Sequence, residues 1–259
     1  GHATLATGAD PAEHGMIGNV WFDKVLGRSV YNIEDDRYKL VGEGGGVDKK
    51  NEKDPTQKVA MTDGRSPRAI LTTTFSDELA LSTNGKAKIF GVSVKDRGAV
   101  TMAGHAGKAY WFSKAKGAFV TSTYYYDAYP KWVDAWNQKG LAKSYAGKKW
   151  DLMLDRLTYK YGDYDNMPWE TKLPGFGIVF PHPFGEAESK LFTTLLTLSP
   201  AGDELTLNFA QELMVQEGLG QDDITDYLSI SFSSTDYVGH VFGPSSLESE
   251  DNLLRLDKT

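Results

Sequence analysis

The chain contains no cysteine among its 259 residues. This absence excludes disulfides, thiolate metal sites and a cysteine nucleophile, so a metal held by these residues would need histidine, aspartate or glutamate ligands. No run approaches the roughly 20 apolar residues of a membrane-spanning helix, and no signal peptide is visible. We therefore predict no membrane partner for this segment.

Positively charged residues are fewer than negatively charged ones. The sequence has 28 lysines and arginines against 35 aspartates and glutamates, which gives a net charge of −7. Surfaces that follow nucleic-acid phosphates are usually basic, so the composition argues against nucleic acid as the main partner. A small phosphorylated substrate is compatible with it, because a few local cations suffice.

Both ends of the chain are unusual for a complete protein. The sequence opens on "GHATLATGADP" without an initiator methionine. It closes on "SLESEDNLLRLDKT", where Leu247, Leu253 and Leu254 indicate an amphipathic helix without a following cap. We interpret residues 1–259 as a partial domain cut from a longer chain.

The apolar periodicity alternates between strand and helix patterns. Buried strands are predicted over Ala87–Val94 ("AKIFGVSV"), 109–113 ("AYWFS"), 119–126 ("FVTSTYYY") and Tyr227–Ser233, and helices over 66–84, Pro130–Gln138 and 199–217. Helices placed between buried strands predict an α/β fold with a mainly parallel central sheet and helices on both faces.

Two stretches do not fit this alternation. The segment 42–58 ("GEGGGVDKKNEKDPTQK") is glycine-rich and charged, which predicts a mobile surface loop. The segment 139–185 is aromatic, contains prolines and lacks periodicity, and we interpret it as a cap inserted into the domain.

A carboxylate and an imidazole follow the last predicted strand. In "SFSSTDYVGHVFGP", Asp236 and His240 are four residues apart in what we predict to be a glycine-rich loop. Both are good zinc ligands, and they converge if the segment turns helically. Functional residues of open α/β sheets gather beyond the carboxyl ends of strands. The alternative is a helix-capping aspartate and an ordinary loop histidine.

Another strand end carries two cations and a third stretch carries an amide. Lys95 and Arg97 in "GVSVKDRGAV" share one face if the backbone is extended, with Asp96 on the other face, and together suit a phosphoryl group. The alternative is the charged rim of a strand. Asn19 in "GADPAEHGMIGNVWFD" could donate to a developing oxyanion, although asparagine after glycine is commonly a turn residue.

Three stretches together resemble one known family. They are "GHATLATGADPAEHGMIGN" with "YNIED", "IFGVSVKDRGAVTMAGHAGKAYWFS", and "SISFSSTDYVGHVFGPSSLESEDNLLRLD", in which D-x-x-G-H followed by F-G-P is quite specific. The chain resembles the type I phosphodiesterase/nucleotide pyrophosphatase family of the alkaline phosphatase superfamily, and within it the phosphate-irrepressible alkaline phosphatases.

The resemblance implies a phosphoric ester hydrolase with two zinc ions and a phosphothreonine intermediate. Asp236 and His240 match two ligands of one zinc ion. Asn19 matches the asparagine that contacts a non-bridging phosphoryl oxygen, and Lys95 and Arg97 match the basic pair of the phosphomonoesterase branch. A monoester carries one more anionic oxygen than a diester, so this pair also favours monoesters on charge grounds. The resemblance further implies a periplasmic or secreted location.

Parts of the family pattern are missing from this sequence. The resemblance places the threonine nucleophile shortly before Gly1 and the remaining zinc ligands outside residues 1–259. We therefore expect the intact protein to be the enzyme and this chain alone to be inactive, with only part of one zinc shell. A phosphodiesterase or nucleotide pyrophosphatase on the same scaffold and a non-catalytic fragment stay as alternatives, with a sulfatase less favoured.

The remaining conspicuous side chains have simpler interpretations. We expect His14 and His105 to be structural, or to support zinc ligands, rather than to bind zinc themselves. His182, in the predicted cap, is also expected to be structural, with substrate contact as the alternative. The aromatic run "YYYDAYPKWVDAW" is expected to pack in the core or cap, with stacking on a leaving group as the alternative.

Overall fold

The computed structural model describes all residues from Gly1 to Thr259 and divides into two compact units. Unit 1 comprises Gly1–Lys139 and Phe209–Ser231, and unit 2 comprises Gly140–Asn208 and Phe232–Thr259. No helix is long and apolar enough to cross a bilayer.

Unit 1 is built around a four-stranded sheet. Its strands, in spatial order, are β5 (Ala118–Val120), β4 (Lys108–Ser113), β3 (Ile89–Ser93) and β8 (Tyr227–Ser231). The central strand β3 pairs in parallel with β4 and with β8, so that Val92 lies opposite Tyr110 on one side and Ile230 on the other. Only β5 is antiparallel to its neighbour. The predicted α/β fold with a mainly parallel sheet is confirmed.

Helices cover both faces of this sheet. Helix α4 (Asp96–Ala103) packs so closely on β3 that a Cβ at Gly91 would lie 2.3 Å from the carbonyl oxygen of Ala99. On the opposite face, the ring of Phe209 stacks on Phe119 at 4.3 Å between centroids and meets Trp136 edge-on. Trp136 belongs to α5 (Lys131–Gln138) and Phe209 to α7 (Pro200–Gln216), so Trp136 of the aromatic run packs in the core as expected.

The remaining elements of unit 1 precede the sheet in the chain. They are α1 (His2–Thr7), α2 (Pro11–His14), the antiparallel pair β1 (Val20–Asp23) and β2 (Arg28–Tyr31), a 3-10 helix at Gln57–Val59 and α3 (Phe75–Ser82). The prediction that a helix begins near Ser66 is wrong. The helix begins at Phe75 because Thr74 and Asp77 form a capping box, so Leu71 lies before it and is 73% exposed.

Unit 2 contains short elements around an aromatic core. They are 3-10 helices at Leu141–Tyr145 and Arg156–Thr158, the paired strands β6 (Lys149–Trp150) and β7 (His182–Pro183), α6 (Phe192–Thr197), the first half of α7, α8 (Ser234–Phe242) and α9 (Leu247–Leu256). The rings of Trp150, Phe176, His182 and Phe242 pack against one another. All of the predicted cap, 139–185, except Lys139 lies in this unit, and its role as a cap stays a prediction.

The segment 42–58 is largely irregular, as predicted, but it is not all surface. Glu52 and Asp54 are buried. The carboxylate of Glu52 lies 2.6 Å from the ammonium of Lys114, and that of Asp54 lies 3.1 Å from the guanidinium of Arg97. The surface assignment is wrong for these two residues and for Gln57, which is also buried. The mobility of the segment stays a prediction.

Candidate active site

The basic pair lies where β3 passes into α4. Lys95 is the N-cap of α4 and has extended backbone angles, whereas Asp96 and Arg97 already belong to the first turn of the helix. The expected extended geometry, with Lys95 and Arg97 on one face of a strand, is therefore wrong. The chain turns here because the hydroxyl of Ser93 accepts the backbone N–H of Lys95 at 3.0 Å and the helix starts directly afterwards.

Asp96, between the two cations, is buried and anchors this turn. Its carboxylate accepts hydrogen bonds from the hydroxyl of Tyr31 at 2.6 Å and from Nε of Arg65 at 2.8 Å. It also accepts the backbone N–H of Arg97 at 2.9 Å. Burial raises the pKa of Tyr31 well above its usual range, so the hydroxyl stays protonated and acts as a donor. Asp96 thus fixes the start of the helix that carries Arg97.

Arg97 is held by side chains from three other points in the sequence. Its Nη1 donates to Oδ2 of Asp54 at 3.1 Å, to Oγ1 of Thr56 at 3.2 Å and to the hydroxyl of Tyr31 at 3.3 Å. Burial acts to raise the pKa of Asp54, but the Arg97 guanidinium and the hydrogen bonds from Thr56 outweigh it and hold that pKa well below its usual range. The pair is therefore ionised and the Arg97 side chain, 13% exposed, is tightly placed.

Arg97 and Asn19 line the same cavity in unit 1, which has a volume of about 190 Å³. Asn19 precedes β1, and its carbonyl accepts the backbone N–H of Asn32 at 3.0 Å. The side-chain amide of Asn32 also donates to the carbonyl of Gly18 at 3.3 Å. Two hydrogen bonds from Asn32 therefore fix the backbone at Gly18 and Asn19. The structure thus brings together two residues predicted from separate stretches. Lys95 is buried and does not belong to the cavity lining.

The histidines of unit 1 have partners within the fold. His14 is buried, with Nε2 3.1 Å from the hydroxyl of Thr4 and Nδ1 accepting the N–H of Met16. Nδ1 of His105 lies 2.8 Å from the carboxylate of Asp77, whose hydrogen bond raises the pKa of His105. Both rings thus have partners inside the fold, and His14 also lines the cavity of Asn19 and Arg97. That neither histidine binds zinc stays a prediction.

His182, the candidate for substrate contact, is fully buried in unit 2. Its Nε2 lies 3.1 Å from Oε1 of Glu248, and its Nδ1 lies 3.1 Å from the carbonyl oxygen of Phe176. With both ring nitrogens occupied in the interior, His182 joins β7 to α9 rather than facing a ligand.

Asp236 and His240 lie on α8, in unit 2. The predicted loop is wrong, because the chain enters a helix at Ser234, three residues after the end of β8. The buried carboxylate of Asp203 accepts the backbone N–H of Ser234 at 3.0 Å and so caps the first turn of α8 from another helix. The expected convergence is confirmed, since Oδ2 of Asp236 lies 3.6 Å from Nε2 of His240.

These two side chains fit a zinc ion as part of its coordination shell. A carboxylate and an imidazole on one exposed helix face have the right chemistry and spacing. The chain contains no group of three or more histidine, aspartate or glutamate side chains placed to hold a metal. Asp236 and His240 would therefore supply two ligands of a shell that needs others.

Sequence reasoning missed the residues that hold these positions. Asp54, Thr56 and Tyr31 surround Arg97, and Asp203 caps the helix of Asp236, but each lies far from its partner in the sequence. The only local signal was the "YNIED" stretch that contains Tyr31, and it gave no role to that residue.

The fold is that of an α/β protein of the alkaline phosphatase type. The structure is similar to the crystal structure of wild-type alkaline phosphatase PafA, with a TM-score of 0.87 and 38% sequence identity over 99% of this chain and 47% of that chain. A PafA variant in which one threonine is changed to serine, and one asparagine, one lysine and one arginine to alanine, matches with a TM-score of 0.86 at 36% identity.

The chain belongs to the type I phosphodiesterase / nucleotide pyrophosphatase family, whose model matches residues 1–259. Alkaline phosphatase PhoV of Synechococcus elongatus is 40% identical over 100% of this chain and 44% of its own length. PafA of Elizabethkingia meningoseptica is 38% identical over 100% of this chain and 45% of its own length. The chain thus spans less than half the length of these relatives.

Proposed function

We propose that the whole protein is a zinc-dependent phosphomonoesterase in which Asn19 and Arg97 bind the transferring phosphoryl group and Lys95 contributes its positive charge from a buried position two residues before Arg97. The observation that carries this proposal is the shared cavity of Asn19 and Arg97, an amide donor and a cation placed together in a chain of this family. The matched relatives named alkaline phosphatases support a phosphoric ester as substrate. Asn, Lys and Arg are also among the residue types substituted in the PafA variant.

The roles of the three side chains follow from their chemistry. The Asn19 amide donates to a non-bridging oxygen of the phosphoryl group, while Arg97 and Lys95 offset the negative charge that spreads over those oxygens in the transition state. Charge-assisted hydrogen bonds from a guanidinium are the stronger contacts. A phosphate monoester presents the additional anionic oxygen that these cations can bind, which is the basis for the monoester preference.

The nucleophile of this proposal is the threonine that the family resemblance places before Gly1, and the ester is split through a phosphothreonine. Asp236 and His240, which converge on one helix face, would hold one zinc ion together with ligands from outside residues 1–259. When bound, zinc would supply a Lewis acid that stabilises the negative charge on an ester oxygen. A periplasmic or secreted location belongs to the same proposal.

The proposal is tested by comparing an aryl phosphate monoester with the matching diester, using the full-length protein with zinc. Arg97→Ala should lower kcat/KM for the monoester by about 100-fold, the scale for loss of one charge-stabilising donor, and for the diester much less. Arg68→Ala is the matched control, because the Arg68 side chain is 62% exposed and lies 4.0 Å from Asp35, outside the cavity lining.

Equal losses on both esters in Arg97→Ala would contradict the monoester assignment. A diester preference in the unchanged protein would favour the phosphodiesterase or pyrophosphatase alternative. The same assay on residues 1–259 alone should give no turnover, and turnover there would contradict the expectation that the nucleophile lies outside this chain.

A further inference from the structure

We propose that Asp54 is a positioning residue that sets the preference for monoesters by holding the Arg97 guanidinium at the cavity. This inference rests on the proposed function, in which Arg97 binds an anionic phosphoryl oxygen. Asp54 does not line the cavity itself, so it acts only through Arg97.

The contact between the two residues is direct and buried. Oδ2 of Asp54 accepts from Nη1 of Arg97 at 3.1 Å, and the Asp54 side chain is only 5% exposed. Bulk water therefore has little access to this ion pair. A long arginine side chain has many rotamers, and an ion pair fixed in this way removes most of that freedom before a substrate arrives.

The carboxylate is itself fixed by its neighbours. Oδ1 of Asp54 accepts from both the hydroxyl and the backbone N–H of Thr56, at 2.6 and 2.9 Å. The Thr56 hydroxyl also accepts from Nη1 of Arg97 at 3.2 Å. Asp54 and Thr56 thus form a small acceptor site for one nitrogen of the guanidinium.

The loop that carries this acceptor site is anchored to the body of unit 1. Oε1 of Glu52 accepts the backbone N–H of Asp54 at 2.8 Å and receives the ammonium of Lys114 at 2.6 Å. Lys114 directly follows β4, which pairs with β3. The segment 52–56 is therefore tied both to the sheet and to the first turn of α4, which allows it to hold Arg97 in place.

Displacement of Arg97 should affect the hydrolysis of monoesters and of diesters differently. An arginine displaced by about 1 Å loses much of its effect on a reacting group. Because a diester lacks the extra anionic oxygen, a displaced Arg97 should harm diester hydrolysis far less. A substitution that only weakened the fold would lower both activities together.

The test uses the full-length protein with zinc and the same pair of aryl esters. Asp54→Ala should lower kcat/KM for the monoester by about 10- to 100-fold, the range for a hydrogen bond to a charged group, and for the diester by less than about threefold. Asp54→Asn keeps one carbonyl acceptor and should fall between wild type and Asp54→Ala. Asp48→Ala is the control, since Asp48 is an exposed carboxylate of the same segment bonded to Asn51.

A double-mutant cycle separates this inference from the proposed function. In an Arg97→Ala background, Asp54→Ala should have no further effect on the monoester, because Asp54 acts through Arg97. Equal losses on both esters in Asp54→Ala, or additive losses in the double variant, would overturn the positioning role while leaving the phosphatase proposal intact. If Arg97→Ala itself leaves the monoester rate unchanged, the proposed function fails and the inference with it.

Asp54→Asn keeps the test decisive if the Asp54→Ala protein does not fold. Thermal unfolding is measured on each variant, and where Asp54→Ala does not fold, Asp54→Asn alone decides. A monoester-selective loss in Asp54→Asn supports the inference, and wild-type rates on both esters overturn it.

Discussion

Oδ2 of Asp236 lies 3.6 Å from Nε2 of His240, one helical turn away on α8, and the two side chains are 58% and 78% exposed. An exposed pair at this spacing contributes little to stability, typically about 0.3–0.5 kcal/mol. Stability therefore gives no strong reason for a carboxylate and an imidazole to share this helix face. The proposed role of the two side chains as zinc ligands would supply such a reason.

We expect His240→Ala in the full-length protein to weaken zinc binding by more than about tenfold, since loss of a ligand should exceed the effect of losing an outer-shell partner. The thermal stability of the metal-free protein should stay nearly unchanged, because the side chain is exposed. Zinc affinity is measured by competition with a chromophoric chelator after metal removal.

The matched control for that measurement is His105→Ala. His105 contacts Asp77 in unit 1 and is not expected to bind the metal. An unchanged zinc affinity in His240→Ala, or an equal loss of affinity in His105→Ala, would contradict the assignment of Asp236 and His240 as zinc ligands.

A second prediction concerns the buried carboxylate that caps α8. Burial raises the pKa of Asp203 to about 7, although the N–H of Ser234 acts in the opposite direction. A carboxyl whose pKa is raised in the folded state stabilises the fold below its unfolded pKa and loses that contribution as pH rises through the folded value. The stability of the wild-type protein should therefore fall between about pH 4 and pH 7 on account of this group.

Asp203→Asn should remove this pH dependence, because the amide keeps an oxygen to accept from Ser234 but carries no charge. At pH 8 the variant should be more stable than the wild type by about 2–4 kcal/mol, at one pKa unit per 1.36 kcal/mol. Denaturant unfolding of the full-length protein at pH 5 and pH 8 measures both quantities. A variant whose stability relative to wild type is the same at both pH values would contradict the assignment.

A third prediction concerns the histidine that joins α3 to the turn after α4. The hydrogen bond from the His105 ring to the Asp77 carboxylate raises the pKa of His105 above its usual value of 6.5. The protonated form is favoured in the folded state, so its contribution to stability is present below pH 6.5 and is lost as pH rises through the folded pKa. The NMR titration of the His105 ring in the full-length protein should give a midpoint above 6.5.

Asp77→Asn is the test of the cause. With the negative charge removed, the His105 midpoint should move down. A His105 midpoint that is the same in both proteins would show that Asp77 is not the source of the shift.

The sequence predicted those parts of the fold in which one local signal dominates. The run "IFGVSV" contains β3 because it is mainly apolar and rich in β-branched residues, with Ser93 its only polar side chain. The α5 prediction differs from the observed Lys131–Gln138 by one residue. The helix of Phe75 shows the limit of periodicity. Leu71, Phe75 and Leu79 have helical spacing, but the capping box at Thr74 starts the helix after Leu71.

In the candidate site, too, the sequence predicted only the residues that a local pattern marks. Asn19, Arg97, Asp236 and His240 could be selected because their residue types and family motifs are visible locally. The support around them could not, since Asp54 and Arg97 are 43 positions apart and nothing in "EKDPTQK" marks a partner for an arginine. Long-range ion pairs depend on the packing of the sheet, which local patterns do not encode.

The last prediction joins the sheet to the site through a single glycine. A Cβ at Gly91 would lie 2.3 Å from the carbonyl oxygen of Ala99, so Gly91→Ala must push α4 away from β3. Overpacking of this kind costs about 1–3 kcal/mol of folding free energy. Because Arg97 is in the first turn of α4, the monoester kcat/KM of the folded full-length protein should fall as well.

Ile89→Val, in the same buried strand, controls for lost stability, with an expected cost of about 0.5–1.5 kcal/mol and no displacement of the helix. If Gly91→Ala retains full activity per folded molecule, the close packing of α4 on β3 serves stability alone, and the position of Arg97 depends on Asp96 and Asp54 rather than on the sheet.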